Sequence, residues 1–501
     1  MKNIIFCICL TLAFSGCQAT LESEGIEVSI DTLTVARHME VLASDDFMGR
    51  KPFTEGEEKT IYYLESELKG MGLKPGNGDS YFQEVPLVEI TGTQSATMTV
   101  KGKGKTFDFE TGKSVVVYTE RVEEEVSIKD SELVYAGFGI VAPEYGWNDY
   151  EGLDVKGKTV VVLVNDPGFA SGDSTLFKGD QMTYYGRWTY KYEEAARQGA
   201  AGVLIVHETV PAGYPWMVVE SSWTGAKLNL DDANPPYKCA LQGWITRNTA
   251  VQLFSAAGIK DYSDLARDKN FKPVAMGMTA SIGVKNIIKR DKSRNVVAML
   301  EGSTRPDEYI IYSAHWDHLG VGSPIDGDSI YNGAHDNATG VTGLLAIAEA
   351  FGQLETKPER SIVFLFVTAE EQGLLGSAYY GQNPIFPPNQ SVANINIDGL
   401  PPYGEMKDLT ITGYGQSELD KYAATEAKKQ GRYVIPDPDP GKGYFFRSDH
   451  FNFAKIGIPA LYASGSYESR EKGVAFTDKK TQEYLAIRYH QPQDNYIPED
   501  W

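Results

Sequence analysis

Histidine, aspartate and glutamate residues follow apolar stretches at several separate places in this 501-residue chain. Imidazole nitrogens and carboxylate oxygens are ligands that zinc takes in proteins, with manganese and cobalt as substitutes, whereas imidazoles disfavour calcium. One such residue at a strand end is usually structural, but an ordered series indicates a metal site. The series consists of His315, Asp317, Asp336, Glu370, Glu371, Asp398 and His490.

The spacing within this series places side chains together. His315 and Asp317 follow the apolar stretch 309–313, and residues two apart lie on one side of an extended chain. The carboxylate of Asp317 can therefore orient the imidazole of His315 or join it in a site. Glu370 and Glu371 form an adjacent pair after the stretch 362–369.

Apolar strands that alternate with helices must position these residues. The pattern predicts a helix over about 338–353 and strands over 295–300, 309–313, 362–367, 392–397 and 458–462. Strands buried on both faces with helical crossovers indicate an α/β fold with a mostly parallel, mixed sheet flanked by helices. Ligands of such sheets bind beyond the carboxyl ends of the strands, where several members of the series lie.

The ordered motifs resemble those of the co-catalytic dizinc exopeptidases of metallopeptidase family twenty-eight, which includes bacterial leucyl aminopeptidases and glutamate carboxypeptidase. The resemblance implies a phosphorylase/hydrolase-like zinc exopeptidase domain. Further similarity lies in the N-terminal stretch 44–50 and in Ser448-Asp449-His450 followed by Gly457-Ile458-Pro459. The metal motifs that carry the resemblance are His315-x-Asp317, Asp336-Asn337, Glu370-Glu371, Asn396-Ile397-Asp398 and Tyr489-His490.

The resemblance also implies a role for each residue and two zinc ions per chain. His315 and Asp398 would bind one zinc, Glu371 and His490 the other, and Asp336 would bridge the two. Asp317 would hold His315 in place. Glu370 would be the general base, because a carboxylate beside a metal-bridged water can take its proton and pass it to the leaving amine.

Other residues are candidates for contact with substrate. Tyr444 lies near the position where relatives have a tyrosine that stabilises the tetrahedral oxyanion, but its register differs by one residue, so an ordinary aromatic loop contact is an equal alternative. His450 either contacts substrate or packs in the core. Arg187 either positions one end of a peptide or belongs to a packed strand. His318 and His335 flank ligand positions and are interpreted as supporting or uninvolved residues.

The chain is long enough for at least two domains. Residues 31–130 and 283–501 are assigned to the zinc peptidase catalytic domain, with two N-terminal helices predicted over 32–43 and 57–71. From residue 131 to 282 the sequence changes to short β-branched runs with turn signals. This β-rich stretch resembles a protease-associated domain inserted into the catalytic one.

The N-terminus has the pattern of an export signal. Residues 1–16 combine a charged start with a short apolar run, and their end resembles a lipoprotein processing site in which Cys17 is lipidated. Residues 17–30 are interpreted as a polar tether. The protein is therefore expected to be exported and lipid-anchored in the bacterial cell envelope, on the periplasmic or outer-membrane face, with no other membrane attachment. Cys239 is then the one cysteine left in the folded part, so no internal disulfide forms.

These observations favour a zinc-dependent aminopeptidase that acts on peptide substrates. A carboxypeptidase of the glutamate carboxypeptidase type is the main alternative, because Arg187 and Arg447 could bind a substrate carboxylate. A glutaminyl cyclase-like enzyme and a non-catalytic receptor-like binding protein are further alternatives, which the complete ligand set argues against. A net charge of −21 disfavours nucleic acid as a partner.

Overall fold

The structure is a computed structural model that describes residues 30–232 and 236–500. The predictions for the signal peptide 1–16, for Cys17 and for nearly all of the tether 17–30 concern residues outside these ranges. Among the helices of the described part, none combines the length and the apolar character that crossing a bilayer requires.

The helices and strands alternate along much of the chain. The helices are α1 (Thr32–Leu42), α2 (Glu55–Gly70), α3 (Trp188–Arg197), α4 (Thr209–Ala212), α5 (Trp216–Ser222), α6 (Arg247–Ala257), α7 (Tyr262–Arg267), α8 (Thr339–Gly352), α9 (Leu375–Gln382), α10 (Leu419–Lys429), α11 (His450–Lys455) and α12 (Val474–Ile487). The strands are β1 (Lys74–Pro75), β2 (Phe82–Gln94), β3 (Thr97–Gly102), β4 (Lys105–Glu110), β5 (Val115–Tyr118), β6 (Glu125–Tyr135), β7 (Val141–Ala142), β8 (Trp147–Asn148), β9 (Thr159–Leu163), β10 (Gly202–His207), β11 (Ala226–Leu230), β12 (Leu241–Thr246), β13 (Val274–Leu300), β14 (Arg305–His315), β15 (Gly320–Ile325), β16 (Asp328–Tyr331), β17 (Arg360–Val367), β18 (Ser391–Asn396), β19 (Asp408–Thr412), β20 (Tyr433–Pro436) and β21 (Ala460–Ser464).

The sheet that carries the site has a parallel centre with antiparallel neighbours. β14 pairs in parallel with both β17 and β18, and β18 pairs in parallel with β21. The end of β13 runs antiparallel beside β17, and β19 runs antiparallel beside β21. This confirms the predicted α/β fold with a mostly parallel, mixed sheet.

Burial on both faces explains why the central strands are continuous apolar runs. Ser361 to Val367 of β17 are all buried, and α8, with an apolar sequence, packs on one face of the sheet with α1 and α2 beside it. The opposite face is covered by α9 and α11, whose Tyr380 and Phe453 are buried against strand residues such as Val363. Helices on both faces hold the strand ends in fixed relative positions.

A second hydrophobic cluster forms the centre of residues 131–282. Here β6, β9, β10 and β12 pair in parallel in that order, and β5 joins antiparallel to β12. The same cluster includes Met98, Phe109 and Ile128, which precede residue 131, and β13 runs through residue 282 without a break. The second packing unit therefore extends beyond 131–282 at both ends, and its assignment as a protease-associated domain stays a prediction.

Candidate metal centre

The carboxyl ends of three neighbouring parallel strands bring the site together. His315 is the last residue of β14 and lies opposite Val367, the last residue of β17. The pair Glu370 and Glu371 follows β17, and Asp398 follows β18 by two residues. Parallel strands end at one edge of a sheet, so these side chains converge there as the sequence predicts.

Two carboxylates lie beside the same nitrogen of His315. Its Nε2 atom is 3.3 Å from Asp336 Oδ1 and 3.3 Å from Asp398 Oδ1, and Glu370 Oε2 is 4.0 Å away. One imidazole N–H cannot donate well to all three carboxylate oxygens at once. A cation between the nitrogen and the carboxylates would satisfy all of them.

His490 completes a second group of ligand atoms. Its Nε2 atom is 3.1 Å from Glu371 Oε2 and 3.4 Å from Asp336 Oδ2. Asp336 therefore faces His315 with one oxygen and His490 with the other. This is the geometry expected of a bridging carboxylate, and the ligand roles themselves stay predictions.

Asp317 is fully buried next to His315, Glu370 and Glu371. Its Oδ1 accepts the backbone N–H of Glu370 at 3.0 Å and its Oδ2 accepts that of Glu371 at 3.4 Å. Oδ1 is also 3.8 Å from His315 Nδ1. Asp317 thus connects the first strand end to the glutamate pair.

His318 lies closer to the cluster than its flanking position in sequence indicates. Its Nδ1 atom is 2.6 Å from Glu371 Oε1. Ligand atoms of His318, Asp336 and Glu371 lie within 4.8 Å of one another, as do those of His315, Glu370 and Asp398. His335 instead packs against Tyr484, with ring centroids 4.2 Å apart and the rings tilted by 48°.

Two residues that support this cluster are absent from the set predicted from the sequence. Asp494 accepts the backbone N–H of His335 and of Asp336, which fixes the loop that carries Asp336. Arg50 is buried and donates to backbone carbonyls on both sides of the site, including those of Trp316 and Gly333. The sequence offers one signal for each residue. Asp494 follows the predicted ligand His490 by four residues, and Arg50 is the last residue of the stretch 44–50 that carries part of the family resemblance.

The closely spaced carboxylates dominate the electrostatics of the candidate metal centre. Burial raises the pKa of Asp317 to about 7 and raises that of Glu370 well above its ordinary value, with neighbouring carboxylates adding to the effect. Burial disfavours the charged His490 ring, but Glu371 and Asp336 outweigh it and raise the pKa of His490 to about 10. These electrostatics favour a cation within the cluster, and its mixture of imidazole and carboxylate donors fits zinc.

The predicted substrate-binding residues lie in different surroundings. His450 is fully buried between the rings of Phe445 and Tyr462, at 4.9 and 5.0 Å, and burial lowers its pKa to about 3. Tyr444 is half-buried, with the Arg447 guanidinium 5.2 Å from its ring centroid. Arg187 directly precedes α3 and is buried, so it does not belong to a strand.

Comparison with known proteins agrees with this arrangement. Residues 295–501 match the model of Peptidase family M28. The curated aminopeptidase NAALADL1 of Mus musculus is 33% identical over 127 residues, which are 24% of this chain and 16% of that protein. A probable zinc metalloprotease of Pyrenophora teres f. teres (strain 0-1) is 39% identical over 103 residues, 21% of this chain and 22% of that protein. The chain therefore matches less than a quarter of the length of either relative.

A solved structure extends the likeness to the fold of nearly the whole chain. The aminopeptidase from Aneurinibacillus sp. strain AM-1 aligns with a TM-score of 0.50 over 93% of this chain and 88% of that chain, at 19% identity. The fold and the histidine–carboxylate cluster define an α/β protein with a candidate metal centre at the strand ends. The chain carries a Peptidase family M28 domain over residues 295–501.

Proposed function

We propose that the protein is a zinc-dependent exopeptidase, specifically an aminopeptidase that releases N-terminal residues from peptides. The observation that carries this proposal is the position of Asp336, whose two oxygens face His315 and His490 at 3.3 and 3.4 Å. Such a carboxylate suits a pair of cations. His315 and Asp398 would hold one zinc ion and Glu371 and His490 the other.

The surrounding chain supports this ligand set. Asp494 and Asp317 accept backbone N–H groups next to the proposed ligands, which fixes the direction of their side chains. The similar proteins include ones named as an aminopeptidase and a probable zinc metalloprotease, in agreement with the donor set. Zinc, when bound, would polarise the scissile carbonyl and make water at the site more acidic.

Glu370 is the group that would move the proton. Its backbone N–H is held by Asp317, and its carboxylate lies in the cluster 4.0 Å from His315 without the short contacts that Asp336 makes. Burial first, and then the nearby carboxylates, raise the pKa of Glu370. A carboxyl group with a raised pKa can accept a proton at Oε2 and deliver it to the nitrogen of the leaving amine.

The test is cleavage of a peptide panel by the purified protein and by Glu370→Gln. Leu-Ala-amide reports aminopeptidase activity and acetyl-Leu-Ala reports carboxypeptidase activity. We expect cleavage of the first by the wild type, loss of turnover by 100-fold or more in Glu370→Gln, and equal metal content in both. Metal loss in the variant would instead make Glu370 a ligand, and cleavage of acetyl-Leu-Ala alone would replace the aminopeptidase proposal.

A carboxypeptidase activity is the second candidate. It is favoured by Arg187 and Arg447, because neither guanidinium has a carboxylate within 4.0 Å among the described residues. Both arginines interact electrostatically with Tyr489, which stacks on His490, and positive charge there suits a substrate carboxylate.

A further inference from the structure

The side chain of His318 contacts a proposed zinc ligand, although His318 is outside the predicted ligand set. It follows the end of β14 and is 1% exposed. Its Nδ1 atom is 2.6 Å from Oε1 of Glu371. This distance is at the short end of the range for a hydrogen bond in which an imidazole N–H donates to a charged oxygen. One oxygen of Glu371 is therefore held by His318.

The two oxygens of Glu371 face different histidines. Oε2 is 3.1 Å from Nε2 of His490, whereas Oε1 faces His318. The rings of the two histidines are 5.8 Å apart between centroids and inclined at 71°. Asp336 differs from Glu371, because both of its oxygens face proposed zinc ligands. With Oε1 held by His318, Oε2 is the oxygen of Glu371 left for a cation that His490 also binds.

Two adjacent residues hold the backbone and the side chain of Glu371. Asp317 Oδ2 accepts the backbone N–H of Glu371 at 3.4 Å, and His318 contacts the carboxylate of the same residue. Both residues come from the chain that follows β14, whereas Glu371 follows β17. The end of one strand therefore sets both the position and the direction of a side chain that follows its neighbour.

The ring of His318 is itself tightly enclosed. Gly333 has a φ of +57°, and a Cβ atom there would lie 2.5 Å from Cγ and Cδ2 of the ring, so only glycine fits beside it. The backbone N–H of His318 donates to the carbonyl of Arg50 at 3.4 Å. Nε2 is buried and has no hydrogen-bond partner in the described part of the chain. Within that part, the contact with Glu371 is the one hydrogen bond of the ring.

We propose that His318 is a positioning residue, which holds Oε1 of Glu371 so that Oε2 binds zinc together with His490. The inference rests on the proposed function, which assigns Glu371 and His490 to one zinc ion. A ring that donates from Nδ1 to Glu371 adds no ligand to the metal. It raises the zinc affinity by keeping a ligand in its binding direction, and loss of such a group typically weakens metal binding about 10- to 100-fold.

Zinc binding tests this role without any measurement of activity. The wild type, His318→Leu and His318→Asn are freed of metal with a chelator and titrated calorimetrically with zinc chloride. Leucine and asparagine have nearly the same shape, but the asparagine amide nitrogen can take the place of Nδ1 and donate to Glu371. His38→Leu is the matched control, because His38 is also fully buried and its Nδ1 lies 2.6 Å from the Tyr63 hydroxyl.

Of the two zinc ions that the proposed site would hold, we expect one to bind about 10- to 100-fold more weakly to His318→Leu than to the wild type. His318→Asn should recover most of this affinity, and His38→Leu should bind zinc as the wild type does. Equal affinities in the wild type and His318→Leu overturn the proposal. Equal losses in His318→Leu and His318→Asn also overturn it, because the ring nitrogen would then be a zinc ligand itself.

Thermal unfolding of the metal-free proteins shows whether each variant folds. If His318→Leu does not, His318→Gln takes its place, because the glutamine amide nitrogen extends to the position of Nε2 instead of Nδ1 and should show the same loss of affinity. The proposed function is tested separately by cleavage of Leu-Ala-amide by the wild type. A protein that shows the expected zinc affinities without this cleavage would contradict the proposed function alone.

Discussion

The carboxylate of Asp317 accepts the backbone N–H of Glu370 at 3.0 Å, although the two residues are 53 positions apart. The same carboxylate accepts the N–H of Glu371. The end of β14 therefore fixes the short turn after β17. The positions of the proposed base and of one proposed ligand depend on this one buried side chain.

We predict that Asp317→Asn lowers kcat on Leu-Ala-amide about 10- to 100-fold, as is usual when a group that orients metal ligands is changed. The asparagine amide has one acceptor oxygen, so one of the two N–H groups faces an NH₂ instead. Steady-state kinetics and metal analysis measure the effect. Asp307→Asn is the control, since Asp307 is an exposed aspartate of the same strand. Wild-type kinetics in Asp317→Asn would show that the turn does not need this acceptor.

We also predict that His490→Ala removes one of the two zinc ions that the proposed site would hold. His490 contributes the only described nitrogen within 3.5 Å of both Glu371 and Asp336, while His315 and Asp398 keep their own contact. Metal analysis after dialysis gives the stoichiometry, and Gln491→Ala is the neighbouring control. Two firmly held ions in His490→Ala would favour His318 as the ligand, because its Nδ1 lies 2.6 Å from Glu371.

The sequence allowed prediction of the strand ends because the signal is local. A buried strand is a continuous apolar run, and the polar residues directly after β14, β17 and β18 reach one edge of the sheet once the strands pair in parallel. Chain order together with the motifs then identifies the ligand candidates.

Other features of the site and of the fold depend on contacts between residues that are far apart in sequence. Such contacts leave no local pattern in the sequence. Arg50 donates to the carbonyl of Trp316 across 266 positions, and its own neighbourhood in sequence does not indicate that contact. The sequence around residue 131, where the inserted domain is predicted to begin, likewise does not show which core the preceding strands join. β3 and β4 form a hairpin, and the sequence alone does not show whether Met98 and Phe109 pack with the catalytic domain or with residues 131–282. In the structure both belong to the second hydrophobic cluster.

Arg50 provides a prediction about stability. Its guanidinium donates to the carbonyls of Trp316, Leu42, Asn332 and Gly333 at 2.6–2.9 Å. We expect Arg50→Met to leave these buried acceptors unpaired and to lower the free energy of unfolding by about 3 kcal/mol or more. Chemical denaturation measures the change. The control Arg290→Met removes a partly exposed ion pair with Asp231 and should cost under about 1 kcal/mol. Equal effects of both substitutions would contradict the structural role of Arg50.

Glu57 provides a prediction about pH. It is 2% exposed, accepts hydrogen bonds from Ser293 Oγ and from the Phe53 N–H, and burial raises its pKa from 4.5 to about 7. The folded state thus binds this proton more tightly than the unfolded state. Its contribution to stability is complete below about pH 4.5 and is lost as the pH rises through about 7.

Relative to Glu57→Gln, the wild type should therefore lose up to about 3 kcal/mol of stability between pH 4.5 and 8. Chemical denaturation of both proteins across this pH range measures the difference in their free energies of unfolding. Other buried acids titrate in both proteins, so their effect cancels in this difference. Glu58→Gln is the matched control, because Glu58 lies next in the same helix and forms a partly exposed ion pair with Arg294. If the wild type and Glu57→Gln change in parallel with pH, the Glu57 carboxyl does not hold its proton in the folded state.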